Sequence, residues 1–246
     1  MFKTISKLSS PPVFYLIASK FYLALGIIGT LLLIASLTYA MIATPIDAQQ
    51  GLVYKVIYVH VPSAFMCMSF YLFPVIFAIL FWIWRTDVSA VMMRSILPTG
   101  AWMTFLTLIT GSLWGKSTWG TYWVWDARLT TELLLLFIYL GLMAVSNMIE
   151  DEEKTDKALA IMTILGLFNV PLIYFSVIFW NTLHQGFSLG ATTASVSPEI
   201  KTALFLSTIS FWLLSFSIIL LRAKGILIFR QSASNWPAKF IRNNYL

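Results

Sequence analysis

Charge is what this sequence most lacks. Only 11% of its 246 residues are Asp, Glu, Lys or Arg, while 59% are apolar. A soluble domain carries about a quarter charged residues, so one folded around an ordinary buried core is excluded. The apolar residues fall instead into blocks of roughly 20, the length that crosses a bilayer core. Cysteine is nearly absent, with Cys67 alone. A single cysteine forms no intrachain disulfide, and the missing C-x-x-C and C-x-x-C-H patterns exclude paired-thiol exchange and covalent c-type haem attachment. Cys67 lies inside an apolar block and reads as a small buried apolar residue. Acid is scarcer than base, leaving a net charge of +6. No nucleic-acid face follows, because the basic residues sit in loops and tails between apolar blocks, where membrane topology puts them.

Six spans emerge, at about Phe21–Ala43, Val61–Trp84, Ser95–Leu113, Thr131–Ile149, Leu159–Trp180 and Thr202–Leu221. Their continuous apolarity predicts helices, not the ten-residue alternation of a barrel. The expected fold is therefore an all-α integral membrane protein, a single six-helix domain over residues 1–246. Pro74, Pro98 and Pro171 fall inside spans, where membrane helices tolerate kinks. Ser197-Pro198 has the form of an N-cap followed by proline at the first helical position, and Pro12–Lys20 suggests a short interfacial helix. The run from Phe21 is too long for a signal-peptide h-region and reads as a retained helix.

Lysine and arginine set the orientation. Twelve belong to the N-terminus, the second and fourth loops and the C-terminal tail; four belong to the other three loops. The positive-inside rule then puts both termini in the cytoplasm, with a basic cytoplasmic tail over 222–246. The acidic run Glu150–Glu153 reads as a solvated hairpin loop. The three outer loops, about Thr44–His60, Trp114–Thr130 and Asn181–Lys201, are the longer ones, and long loops on a rigid scaffold are where binding concentrates.

Four of the ten tryptophans, Trp114, Trp119, Trp123 and Trp125, lie within twelve residues, in the string WGKSTWGTYWVWDAR. Tyr122 adds a fifth ring. Aromatic belts spread over both membrane faces, whereas this cluster is one loop on one face. Flat rings with a donor at the wet edge suit a large, flat, amphiphilic ligand. The two histidines, His60 and His184, flank spans on the same outer face. From residue chemistry alone two readings stand: a bis-histidine axial pair for haem iron, or two unremarkable interfacial histidines. A helix N-terminus keeps an imidazole neutral, which favours His60 as a ligand. Lys116 and Arg128 flank the aromatic cluster, as partners for ligand carboxylates or as solvated loop charges. Asp126 is placed to orient an indole or a turn, and Glu132 alone is too little for general acid–base chemistry. Gly111–Ser117 imitates a phosphate-binding loop, but is one residue short and follows a membrane span, not a strand.

The string Trp119-Gly120-Thr-Tyr122-Trp123-Val-Trp125-Asp126 resembles the WWD signature of the haem-handling membrane proteins, and the whole chain resembles the haem exporter protein C family of bacterial cytochrome c maturation. That resemblance implies a multi-pass protein of the bacterial inner membrane with its functional loops facing the periplasm. It implies haem b held by His60 and His184 as axial ligands, against a platform of Trp114, Trp119, Trp123, Trp125 and Asp126, with Tyr122 and Arg128 beside it. It further implies presentation of haem to a membrane-anchored haem chaperone, and partnership with an ABC-type ATPase, its membrane subunit and a small single-span subunit. The protein is expected not to be an enzyme in its own right. Two alternatives remain open at this point: a transporter carrying haem or a small solute, and a non-haem docking subunit of an ABC-type complex.

Overall fold

The computed structural model describes residues 9–148, 150–184 and 196–238. Lys3, Lys7, Ile149, most of the last outer loop and the final eight residues, with Lys239 and Arg242, lie outside them. Among the described residues the chain is helical, and six helical segments are long and apolar enough to cross a membrane. They comprise α1 (Pro11–Ala43), α2 (Ile57–Trp84, entered through a short 3-10 helix, Leu52–Val56), α3 (Asp87–Trp119), α4 (Ala127–Met148), the pair α5 (Glu152–Gly166) and α6 (Asn169–Phe179), and α7 (Pro198–Arg230).

Each expected span is present, and most run further than the apolar blocks. Helices of 33 residues are about 50 Å long, whereas the bilayer core is about 30 Å thick. Polar helical turns therefore extend past the lipid. The separate interfacial helix expected at Pro12–Lys20 is not there: Pro11 and Pro12 occupy the first turn of α1, where a missing N–H is harmless. At its far end, Lys55 Nζ donates to the carbonyls of Ala40, Met41 and Thr44 at 3.2, 2.6 and 3.4 Å, closing the helix. Ser197 caps α7 as the sequence predicts, its hydroxyl accepting from the Ile200 amide at 3.4 Å.

Two departures matter. The fifth span is broken at Leu167–Phe168. Pro171 is the cause: it cannot donate to the Leu167 carbonyl, and its ring crowds that carbonyl. The amides around the break turn to three-residue bonds, Leu167 to Ile164 at 3.2 Å and Val170 to Leu167 at 3.1 Å. Secondly, α7 continues to Arg230, so residues 222–230 are helical. Arg222 Nη1 donates to the Ser95 carbonyl at 2.9 Å and the Thr99 hydroxyl at 3.2 Å.

Helices α2 and α3 form the centre, with Met66, Phe70, Tyr71, Met93 and Leu97 fully buried between their neighbours. Helix α1 is peripheral and lies on α7. A Cβ at Gly29 would stand 2.9 Å from the Leu214 amide nitrogen, the close backbone approach that small residues permit in membrane bundles.

One end of the bundle is closed by charge. Asp156, fully buried, accepts from Arg94 at 2.6 Å and Arg230 at 2.5 Å; Arg94 also pairs with Glu152 at 2.8 Å, and Arg230 with Asp87 at 3.1 Å. The acidic run is thus not simply a solvated loop, because Glu152 ties α5 to α3.

Candidate functional site

The opposite end of the bundle holds a cleft. Its walls come from α2, α3, α4 and the segment after α6.

His60 stands in the first turn of α2 and is only 7% exposed. It packs against α3, where a Cβ at Gly111 would come within 2.9 Å of its Cε1. Its Nδ1 is 3.0 Å from the Thr110 hydroxyl. That hydroxyl gives its one proton to the Leu106 carbonyl at 2.6 Å, so it accepts from the imidazole. The proton is thereby assigned to Nδ1, which leaves the Nε2 lone pair free. His184 lies across the cleft, with ring centroids 6.4 Å apart and planes inclined at 37°.

The four clustered tryptophans do not form one platform. Trp119 and Trp123 line the cleft. Trp123 Nε1 is buried without a hydrogen-bond partner among the described residues. Trp114 lies behind His60, edge-on at 5.6 Å, with its Nε1 donating to Gln50 at 2.5 Å. Trp125 is 78% exposed and packs edge-on against Trp123 at 5.5 Å. The string folds this way because Gly120, at φ 78°, ends α3 in the left-handed conformation that favours glycine. Trp114 and Trp119 are therefore helical, and only Gly120–Asp126 is a loop.

Asp126 holds the loop at both ends. Its Oδ1 accepts from the Leu129 amide at 2.8 Å, starting α4, and its Oδ2 accepts from the Leu183 amide at 3.2 Å. The second bond fixes the residue next to His184. Lys116 turns away from the cleft: Nζ donates to the Gly120 carbonyl at 2.9 Å and lies 5.3 Å from the exposed Tyr122 ring. Arg128 does line the cleft, with Nη1 donating to the Ile173 carbonyl of α6 at 2.9 Å.

Sequence reasoning passed over four participants. Glu132 lines the cleft and is 4% exposed, although the sequence alone assigned it nothing. An acidic residue in a membrane span is itself a sign of function, and that sign was available. The thiol of Cys67 lies 2.8 Å from Glu132 Oε1, so this cysteine has a polar partner as well as an apolar setting. Thr110 and Gly111, which seat His60, carried no such sign, being fifty residues away in the chain.

Among the described residues no three His, Cys, Asp or Glu side chains gather as a metal cage. Two facing imidazoles alone leave equatorial positions open. They suit a metal that arrives with most of its ligands already in place.

Comparison with known proteins identifies the family. The family described as Heme exporter protein C matches residues 4–238. The Heme exporter protein C of Escherichia coli K12 is 36% identical over 241 residues, covering 98% of both chains. That of Haemophilus influenzae is 35% identical over 237 residues, 96% of each. That of Bradyrhizobium diazoefficiens is 38% identical over 207 residues, 84% of this chain and 79% of its own. With a family model matching nearly the whole chain and relatives 35–38% identical over most of their length, this chain belongs to the Heme exporter protein C family.

Proposed function

We propose that the cleft binds haem between His60 and His184 and presents it for c-type cytochrome maturation. The observation that carries this is the 6.4 Å between the two ring centroids. Imidazoles bound to opposite sides of one metal, with metal–nitrogen bonds of about 2.0–2.1 Å, have centroids roughly 6.4 Å apart. Haem iron, with four positions filled by the macrocycle, takes such an axial pair. The Nδ1–H bond to Thr110 holds His60 in the ligating tautomer.

The remaining groups fit the same ligand. Trp119 and Trp123 offer apolar ring surface, and the unpartnered Trp123 Nε1–H offers a donor. Arg128 is the cation in position for a propionate, in a charge-assisted pair. Lys116, already engaged by Gly120, contributes less. Exposed Trp125, Tyr122 and Trp180 form an apolar rim on which a membrane-anchored haem chaperone can dock. The lysine and arginine distribution supports a rim on the non-cytoplasmic face with both termini cytoplasmic, which in the bacterial inner membrane is the periplasmic side. An ABC-type ATPase, its membrane subunit and a small single-span subunit complete the assembly. The haem proposed for this cleft is haem b, as the resemblance to the haem-handling membrane proteins implies.

The absorption spectrum of the purified protein tests this directly, wild type beside His60→Ala and His184→Ala. A Soret band that shifts or fades in each variant supports the axial pair. An unchanged spectrum in the double variant sinks it.

One observation favours a second reading, passage of haem through this chain. The fifth span is broken beside the cleft, and Asn169 at the break donates to the Thr131 carbonyl at 2.9 Å. Broken helices line transport paths in membrane proteins. Haem flux in vesicles containing this chain alone would support passage, and no flux would leave presentation as the function.

A further inference from the structure

A second groove runs between α1 and α7, away from the cleft. The two helices are antiparallel, since Gly29 meets Leu214, Gly26 meets Ser217, and Tyr15 lies beneath Lys224. Small residues make the floor. A Cβ at Gly26 would stand 2.8 Å from the Ser217 hydroxyl, which donates to the Tyr22 carbonyl at 2.6 Å. The rims are exposed apolar side chains, Leu23, Ile27 and Leu31 on α1 and Leu221 on α7. The nine helical steps from Tyr22 to Leu31 rise about 14 Å, close to half of the roughly 30 Å bilayer core. The groove thus matches the hydrocarbon depth of one leaflet.

Both rims end in a lysine, at the same end of the bundle. Residues three apart share a helix face. Lys20 precedes Leu23 by three and Lys224 follows Leu221 by three, so each prolongs its rim by one turn. Lys20 is exposed. Lys224 has a buried stem, the residue being 9% exposed, but its Nζ is not among the enclosed polar atoms. That ammonium lies 4.1 Å from the Tyr22 ring centroid and 5.1 Å from that of Tyr15, so aromatic faces hold it at the end of the groove. Among the described residues neither lysine has a carboxylate within ion-pair reach. The acids at this end, Asp87, Glu152 and Asp156, are matched to Arg94 and Arg230. Arg222 takes no part, being bonded to Ser95 and Thr99 of α3.

We propose that this groove binds an anionic phospholipid, with one acyl chain between α1 and α7 and the phosphate between Lys20 and Lys224. Charge complementarity selects this occupant. A phosphodiester supplies the anion that both lysines lack, whereas an apolar helix gains nothing from two cations at the mouth. Basic pockets between membrane helices recognise anionic headgroups in this way, and tyrosine favours headgroup depth. A lipid seated here braces the peripheral α1 against α7. The proposal is independent of the haem reading.

Native mass spectrometry of the full-length protein in detergent tests it, with equal amounts of phosphatidylglycerol and phosphatidylcholine carrying the same acyl chains. Wild type is expected to retain phosphatidylglycerol preferentially. Lys224→Gln is expected to cut that preference about fivefold, Lys20→Gln to cut it less, and Lys224→Arg to keep most of it. Thr30→Trp, which plugs the groove without touching either charge, is expected to lower retention of both lipids. Equal retention of the two lipids by wild type overturns the proposal. So does an undiminished preference in Lys224→Gln, or undiminished retention in Thr30→Trp. Should Lys224→Gln not fold, Lys20→Gln and Thr30→Trp decide the matter by the same readings. The occupant in the intact membrane is read by Thr30→Cys carrying a benzophenone label. A phospholipid adduct is expected, and an adduct with another membrane helix in its place overturns the proposal.

Discussion

The two ends of this bundle treat charge in opposite ways. At one end Asp156 is enclosed by Arg94 and Arg230, which reach on to Glu152 and Asp87. Three helices are fastened there, and the acids are matched by guanidinium groups. At the other end His60, Arg128, Glu132 and Trp123 Nε1 face a cleft, and the indole donor has no partner. The first arrangement joins helices through ion pairs, and the second lines a cleft. Similar residue types can therefore fasten a fold or line a site, and the difference lies in whether their charges meet one another or open onto a cleft.

Substitutions can break or sharpen this contrast. The largest effect is expected from Asp156→Ala. Removing one member of a buried charge network leaves the others uncompensated and costs about 3–5 kcal/mol. Melting of the detergent-solubilised protein should show it, and an unshifted melting temperature would mean that the charged end is not a fastening. His60→Ala and His184→Ala should leave melting of the haem-free protein close to wild type while abolishing or shifting the Soret band. Loss of fold in both would make the histidines structural and erase the contrast. Asp126→Ala lies between the two behaviours. Loss of the helix cap costs about 0.5–2 kcal/mol, and loss of the Leu183 bond frees the segment carrying His184. Stability and haem retention should fall together, with Asp126→Asn recovering more of the first than of the second.

The smallest effect belongs to Asp151, the N-cap of α5 outside the spans. The Lys154 amide, donating to its carboxylate, holds its pKa below the ordinary value. A depressed folded pKa contributes stability above the unfolded value, and that stability is lost as pH falls through the folded one. Asp151→Asn, itself a competent cap, should flatten the acid limb of a stability profile with little change at neutral pH. A steep change at neutral pH would show that the loop is part of the charge network.

How much of this could be read in advance depended on distance along the chain. The six spans were legible because lipid demands long, unbroken apolar runs, and the break in the fifth was foreshadowed by Pro171. The aromatic string was legible because its residues are neighbours. Its division was not, since a turn at Gly120 sends Trp114 behind His60 and Trp125 into the open. The bonds that make the site connect residues far apart: Thr110 to His60, Arg128 to Ile173, Asp126 to Leu183 and Cys67 to Glu132. No local pattern encodes them.

The amino-acid sequence by itself determined that this is a six-span helical membrane protein with an aromatic signature and two histidines flanking it. Apolar length and local composition are properties of contiguous residues, and lipid acts on them directly. Only the tertiary structure decided that the histidines face each other, that two of the clustered indoles line the cleft, and that Arg128 shares it with Glu132. Those are matters of helix packing, in which small residues such as Gly111 set how closely distant segments meet.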